Sequence, residues 1–386
     1  MRILIAPNAF KNSLNATEVA EAIGAGLQQS RLACDCRYFP VGDGGDGTAE
    51  LLIRHFRGRK VTVEVQDPLG KPRVAELGLI HEGRTAVIEI ADASGLRLLR
   101  PDELDPLHAS SFGTGQMIRS ALDHGVRAIL LGVGGSATVD GGTGLLRALG
   151  MRFLSATGAP LMNLPEELAN VHAIDMSGLD PRLKSCAVTI LCDVDNPLLS
   201  VRGAARIFGP QKGAAPAAIE MLEAGLQRWG EVLHRQTGRD VSTVAGGGAA
   251  GGIAAGLLGI LDARLVSGID YFLDCTDFDA ALSAVDLVVT GEGSIDEQTP
   301  QGKAPYGVAI RAKAHNIPVV AFAGQVPMEP STSLRSAFDV LLAIGSSPLP
   351  VAEAIQYTAH NLRRTALDFG NALALGRQHS KQGIPS

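Results

Sequence analysis

The chain has 386 residues, 46% of them hydrophobic and 19% charged, with 46 glycines against few aromatics. That length favours two domains over one core, and the balance of residue types excludes disordered and fibrous classes. A net charge of −6 with no stripe of Lys or Arg leaves no electrostatic footprint for nucleic acid.

Residues 2–6 predict a buried strand; the apolar run is too short for a secretory leader, and no later stretch reaches membrane-spanning length. A cytoplasmic protein with no membrane contact is expected. Asn15 followed by Glu18 has the spacing of a capping box, and Val19, Ile23 and Leu27 then mark one face of a helix. A second strand is expected over 38–41. A second helix follows over 48–56, opening directly after Gly42-Asp43-Gly44-Gly45-Asp46-Gly47.

Beyond residue 60 the pattern changes, because Val61, Val63 and Val65 alternate with polar residues and Asp67-Pro68-Leu69-Gly70 makes a turn before strands at 74–79 and 86–90. This antiparallel character marks a change of domain. The middle region adds strands at 127–133 and 187–192 and helices at 144–149 and 216–233. Near the end, strands at 286–290, 319–323 and 340–344 alternate with helical stretches at 304–315 and about 351–373. With the two N-terminal strands they make five of parallel type. The expected fold is α/β: a flavodoxin-like doubly wound parallel sheet formed by 1–58 and 285–386, with a second, mixed α/β domain inserted over 59–284.

Ligands of such a sheet gather at the carboxyl ends of its strands. The first strand delivers Asn8 and Lys11, the second Asp43 and Asp46, and the third Gly291-Glu292-Gly293-Ser294-Ile295-Asp296. Amides and lysines that offset phosphate charge, with carboxylates for Mg²⁺ and for the acceptor's proton, suit phosphoryl transfer. An aspartate in a glycine turn is often turn chemistry alone, so the coincidence at several strand ends carries the inference.

Cys192-Asp193-Val194-Asp195 leaves a buried strand, and a two-residue period would put both carboxylates on one side. Lys212 stands among glycines in Phe208-Gly209-Pro210-Gln211-Lys212-Gly213, and Lys303 opens a helix whose free N–H groups favour anions. Neither lies in a Walker A loop. Gly132-Val133-Gly134-Gly135-Ser136-Ala137 matches a dinucleotide-binding pattern, but the acidic residue expected about 20 positions on is missing. A phosphate or substrate nest through Asp140-Gly141-Gly142 is the better reading. The run from Gly246 to Gly259 is either a close-packed helix or an anion-binding helix entry. Five cysteines without a Cys-x-x-Cys and nine scattered histidines read as reduced thiols and no metal cluster.

Taken together, these stretches resemble the class I glycerate kinase family nearly end to end. The likeness runs through Ile5-Ala6-Pro7 with Phe10-Lys11, Ser111-Phe112-Gly113-Thr114-Gly115, Gly134 to Thr138, Asp140-Gly141-Gly142, Cys192 to Leu198, Phe208 to Ala214, Ala249 to Gly252 and Thr290 to Gly293 with Ile295-Asp296. The resemblance implies ATP-dependent phosphorylation of D-glycerate, usually on the 2-hydroxyl to give 2-phosphoglycerate, with Mg²⁺, in a cleft between the two domains. The chain departs from the family at Asn8-Ala9, where Asp-Ser is common, at Val139 in place of Asn, and at Ser294 in place of Arg.

On that basis Asp193 is expected to accept the hydroxyl proton, Asp43 and Asp195 to hold the metal, and Lys11 and Lys212 to offset charge on the moving phosphoryl group. Gly134, Gly135, Ser136, Ala137, Asp140, Gly291, Glu292, Gly293 and Lys303 would bind phosphate or substrate. Two alternatives remain at this stage: a nicotinamide-dependent oxidoreductase of small hydroxy acids, and a non-catalytic metabolite-binding relative. Small molecules are the expected partners, and homo-oligomerisation is left open.

Overall fold

The computed structural model describes residues 1–345 and 349–381. In chain order the strands are β1 (Arg2–Ile5), β2 (Asp35–Tyr38), β3 (Arg59–Gln66), β4 (Pro72–Ile80), β5 (Thr85–Glu89), β6 (Ala128–Gly132), β7 (Arg152–Leu154), β8 (Ala173–Asp175), β9 (Ala187–Cys192), β10 (Arg264–Ser267), β11 (Leu287–Ser294), β12 (Val319–Gln325) and β13 (Val340–Ala343). The chain divides into two compact units. Met1–Asp43 and the chain from Ile269 onward form the first, and Gly44–Gly268 the second.

The first unit carries a parallel sheet in the order β2-β1-β11-β12-β13. Numbered within the unit this is 2-1-3-4-5, the flavodoxin-like order. Ile3, Leu4, Ile5, Val288 and Val289 are buried, as a sheet covered on both faces requires. The helix Ala16–Gln29 opens with the reciprocal cap: Asn15 Oδ1 accepts from Glu18 N at 3.0 Å, and Glu18 Oε2 accepts from Asn15 N at 2.9 Å. Val19, Ile23 and Leu27 point into the core, while Gly26 lets the long helix Thr358–Lys381 approach, since a Cβ there would lie 2.2 Å from Arg363 O.

The second unit is built on the mixed sheet β10-β9-β6-β5-β4-β3, antiparallel among β3, β4 and β5 and parallel from β5 to β10. The helix Thr48–His55 belongs to this unit, not to the first as the sequence pattern suggested. Its Ile53 lies over Gly78 of β4, and Gly47 N and Ala49 N donate to the Glu89 carboxylate on β5 at 3.1 and 2.7 Å. Residues 269–284 go with the first unit instead. A short hairpin sheet, β7 with β8, completes the second unit.

Two strand limits differ from the expected ones for physical reasons. β2 runs over Asp35–Tyr38 rather than 38–41; it is an edge strand with mostly exposed side chains, so no apolar run marks it. β11 continues to Ser294 because β12 pairs with it beyond Thr290. No helix among the described residues is long and apolar enough to cross a membrane.

Trp229, the single tryptophan, is wholly buried on the helix Pro216–Thr237. Its Nε1 donates to Gly141 O at 3.0 Å, and its ring meets Phe153 edge-on with centroids 5.2 Å apart. Gly141 has φ +62° and an added Cβ would sit 2.6 Å from Trp229 Cδ1, so the loop and the tryptophan are mutually fitted. Trp229→Ala should cost about 3–5 kcal/mol through the cavity it leaves. Urea unfolding followed by far-ultraviolet circular dichroism checks this, and a loss below about 1 kcal/mol would show that the site collapses freely.

Candidate active site

In the first unit the central position of β1 decides the geometry. Its carboxyl end lies between those of β2 and β11: Val41 N donates to Pro7 O at 3.0 Å and Asn8 N to Gly291 O at 2.8 Å. Asn8 Nδ2 then donates to Asp43 Oδ2 at 2.7 Å, while Asn8 Oδ1 accepts from Ala9 N at 2.8 Å. Both ends of the Asn8 amide are thus engaged, which fixes the Asp43 carboxylate. Asp43 and Glu292 are both buried, with 5% and 8% of their surface exposed.

Glu292 lies in β11 opposite Ala323 of β12. Burial pushes its carboxyl group up to about 8, with the negative charge of Asp43 acting in the same direction and Lys303 and Lys11 opposing it. Lys303, the residue that precedes the helix Ala304–Ala314, turns back to the strand end. Its Nζ donates to Asp296 Oδ2 at 2.8 Å and Ser294 O at 3.2 Å and lies 3.6 Å from Glu292 Oε1. Lys11 is exposed on the loop after β1. Gly291 has a packing reason to be glycine: a Cβ would stand 2.2 Å from Phe322 O across the ladder. Gly293 has no such neighbour, its nearest being Lys11 N at 3.8 Å.

In the second unit the loop after β6 folds back on two other segments. Gly134 N donates to Gly44 O at 3.3 Å and Ala137 N to Ser94 O at 2.9 Å, so two of the four expected cradle amides are spent within the protein. Gly135 turns at φ +70°, and Ser136 Oγ accepts from Lys212 Nζ at 2.8 Å. Lys212 also donates to Thr138 O at 2.7 Å and is almost fully buried. Burial lowers its ammonium to about 7, and the charge of Asp140 works against that shift.

Asp140 is completely buried and its oxygens are taken: Oδ2 accepts from Ser111 N, Ser111 Oγ and Gly144 N at 2.8, 2.7 and 3.1 Å, and Oδ1 from Gly142 N at 3.0 Å. It ties the start of the helix Phe112–Asp123 to that of the helix Thr143–Ala148. Its geometry is that of a group that holds the loop and faces Lys212 with negative charge. The helix starts at Thr143, well after the Gly132-to-Ala137 pattern, whereas a dinucleotide fingerprint opens its helix within the glycines.

The loop after β9 separates the two aspartates that were expected side by side. The strand ends at Cys192, so the two-residue period lapses: Asp193 is half-buried, whereas Asp195 is exposed and ion-paired with Arg202. Beside this loop, Gly248 N donates to Asn196 O at 2.8 Å, and Gly251, at φ +68°, has room for no Cβ, which would lie 2.0 Å from Thr138 O. The glycines after Ala245 therefore serve close packing of the helix Ala249–Leu261 on the loops.

The structure thus brings Asp43, Glu292, Lys303 and Asn8 together in one unit and Ser136, Lys212 and Asp140 together in the other. Asp46 falls in the second unit, bound to Arg97 at 3.1 Å. Sequence reasoning passed over Glu89, whose carboxyl burial raises to about 7. A lone glutamate in the apolar run Ala86-Val87-Ile88-Glu89-Ile90 was its signal. Among the described residues no three His, Cys, Asp or Glu gather into a metal-binding group. Mg²⁺ needs less, one or two carboxylates with water and phosphate, and the buried carboxyl groups of Asp43 and Glu292 are of the type it takes.

Comparison with known proteins gives the same direction. The model of the glycerate kinase family matches residues 3–374. The chain is 41% identical to a glycerate kinase of Bacillus subtilis (strain 168), over 98% of this chain and 99% of that protein. It is 40% identical to the glycerate 2-kinase of Escherichia coli (strain K12), over 98% of this chain and all of the other. A crystal structure assigned as a glycerate kinase 2 from Salmonella typhimurium LT2 superposes with a TM-score of 0.82 at 42% identity, covering 98% of this chain and 99% of that one. With its glycine loops, strand-end acids and lysines, the chain belongs to the glycerate kinase family and is a kinase.

Proposed function

We propose that the protein transfers the γ-phosphoryl group of ATP to the 2-hydroxyl of D-glycerate, giving 2-phosphoglycerate, with Mg²⁺ as cofactor. The observation that carries this reading is the strand-end group Asn8, Asp43, Glu292 and Lys303, where acid, amide and ammonium meet at the carboxyl ends of three adjacent parallel strands. Phosphoryl transfer asks a protein chiefly for positioning and for charge opposite the equatorial oxygens. Membership of the family supports glycerate as acceptor, and the name of the Escherichia coli relative favours the 2-hydroxyl.

Mg²⁺, when bound, would neutralise the nucleotide phosphates, and Asp43 would hold it; Asp195, tied to Arg202, serves to anchor its loop. Lys11 and Lys303 would face the phosphates in the first unit, with Gly293 leaving space for them. In the second unit Asp193 would take the proton from the attacking hydroxyl, and Ser136 with Lys212 would bind the glycerate carboxylate or the incoming phosphate. Lys212 reaches that role already tethered by two acceptors, so little ordering entropy is spent on binding.

A coupled ADP-release assay with D-glycerate beside other small hydroxy acids tests the reaction, and phosphorus NMR of the product reads the position of the phosphate. ADP release that ignores D-glycerate would discard the proposal. Asp193→Asn should lower kcat by about 10²–10⁴-fold with the fold intact; turnover near that of the unaltered protein would remove Asp193 as the base.

Lys212 also makes a prediction about stability. Its native value of about 7 lies below the ordinary 10.5, so between these limits the unfolded chain holds a proton that the native protein lacks. Stability from this group therefore rises with pH from about 7 and is flat below it. The difference in unfolding free energy between the unaltered protein and Lys212→Met should grow by about 1–3 kcal/mol from pH 7 to pH 9. Parallel curves for the two proteins in urea titrations would mean that Lys212 is charged throughout.

A further inference from the structure

We propose that Glu292, near the end of β11, is a direct ligand of the divalent cation together with Asp43 on the loop beyond β2, and that Asn8 is the positioning residue for Asp43. The proposal deepens the Mg²⁺-assisted reading above and rests on it for the identity of the cation's function. Its basis is a buried carboxylate oxygen that accepts no hydrogen bond and has Lys303 only at ion-pair distance, 3.6 Å. Glu292 Oε1 is sealed from solvent and accepts no hydrogen bond. The Lys303 ammonium directs its hydrogen bonds to Asp296 and Ser294 instead.

Leaving a buried carboxylate oxygen unsatisfied costs about 1–3 kcal/mol or more. A second buried carboxylate close by adds repulsion, and Asp43 is one of the charges that disfavours ionised Glu292. Native proteins tolerate such an arrangement where a ligand relieves it. A hard divalent cation answers both difficulties, because it takes oxygen ligands and lies between like charges. Asn8 supports this function by donating from Nδ2 to Asp43 Oδ2 while Ala9 N holds its own oxygen, so the carboxylate cannot swing. An aspartate at position 8 would add a third acid, and the neutral amide instead supplies a donor.

The other acids near the candidate loops are already engaged. Asp140 accepts four hydrogen bonds, Asp195 is exposed and paired with Arg202, and Asp46 is paired with Arg97. Glu292 alone among them keeps a buried oxygen with no donor. The competing explanation is that Glu292 simply stays protonated, in which case metal affinity would not depend on it.

The test is titration of the metal-stripped full chain with Mn²⁺ in the absence of nucleotide, free Mn²⁺ being read by electron paramagnetic resonance. The unaltered protein should bind saturably, Glu292→Gln and Asp43→Asn should each weaken binding at least about tenfold, and Asp195→Asn should leave it unchanged. Circular dichroism confirms that each variant is folded, and a Mn²⁺-dependent rise in Tm, present in the unaltered protein and absent in Glu292→Gln, gives a second readout. Absence of saturable binding, retained affinity in folded Glu292→Gln, or loss in Asp195→Asn would overturn the assignment. Should Mn²⁺ binding depend on Glu292 while D-glycerate releases no ADP, the metal site stands and the substrate reading fails. The opposite pattern removes the site and leaves the kinase.

Discussion

Buried charge must find a partner, and a parallel sheet allows that only where its hydrogen-bond ladder ends. Within β1 and β11 the backbone groups are spent on neighbouring strands and both faces are covered by helices, so those positions are held by Ile3, Leu4, Ile5, Val288 and Val289. One step beyond, the amide of Asn8 can reach Asp43, and Lys303 can turn back from its helix to Asp296. Because β1 lies between β2 and β11, three chain segments far apart in sequence arrive at one edge with their polar residues together. The candidate chemistry of the first unit depends on this topological fact.

The second unit meets the same constraint by saturation. Asp140 satisfies both its oxygens with donors at two helix starts, and Lys212 spends its ammonium on Ser136 and Thr138 O. Such a network is rigid, since each member would leave another unpaired if it moved. Glycines at 141 and 251 make it possible by letting loop and helix entry approach closer than any side chain permits. Glu292 in the first unit stands out against this background, with one oxygen that accepts no hydrogen bond. The contrast is between acids whose oxygens are filled with donors and one that keeps an oxygen without a hydrogen bond.

Much of this was legible in the residues taken in order. The cap at Asn15 and Glu18, the face Val19-Ile23-Leu27, the strand Ala187–Cys192 and the alternation of strands and helices near the end are local signals, and each appears where the spacing puts it. Local signals failed where neighbours decide. The edge strand β2 carries no apolar run, β11 is lengthened by its partner β12, and the helix Thr48–His55 joins the second unit through Glu89, which lies far along the chain.

The residue types at the strand ends suited phosphoryl transfer, and it was the likeness of the motifs along the chain to the glycerate kinase family that identified the kinase. What those residues do individually was decided by tertiary contacts. Spacing made Asp193 and Asp195 equivalent, but the strand's end at Cys192 and the reach of Arg202 made them different. Asp140 and Glu292 looked alike as acids beside glycines; one is filled with donors and the other is not. A side chain's charge is written in its chemistry, whereas its desolvation and its partners exist only once distant segments pack around it.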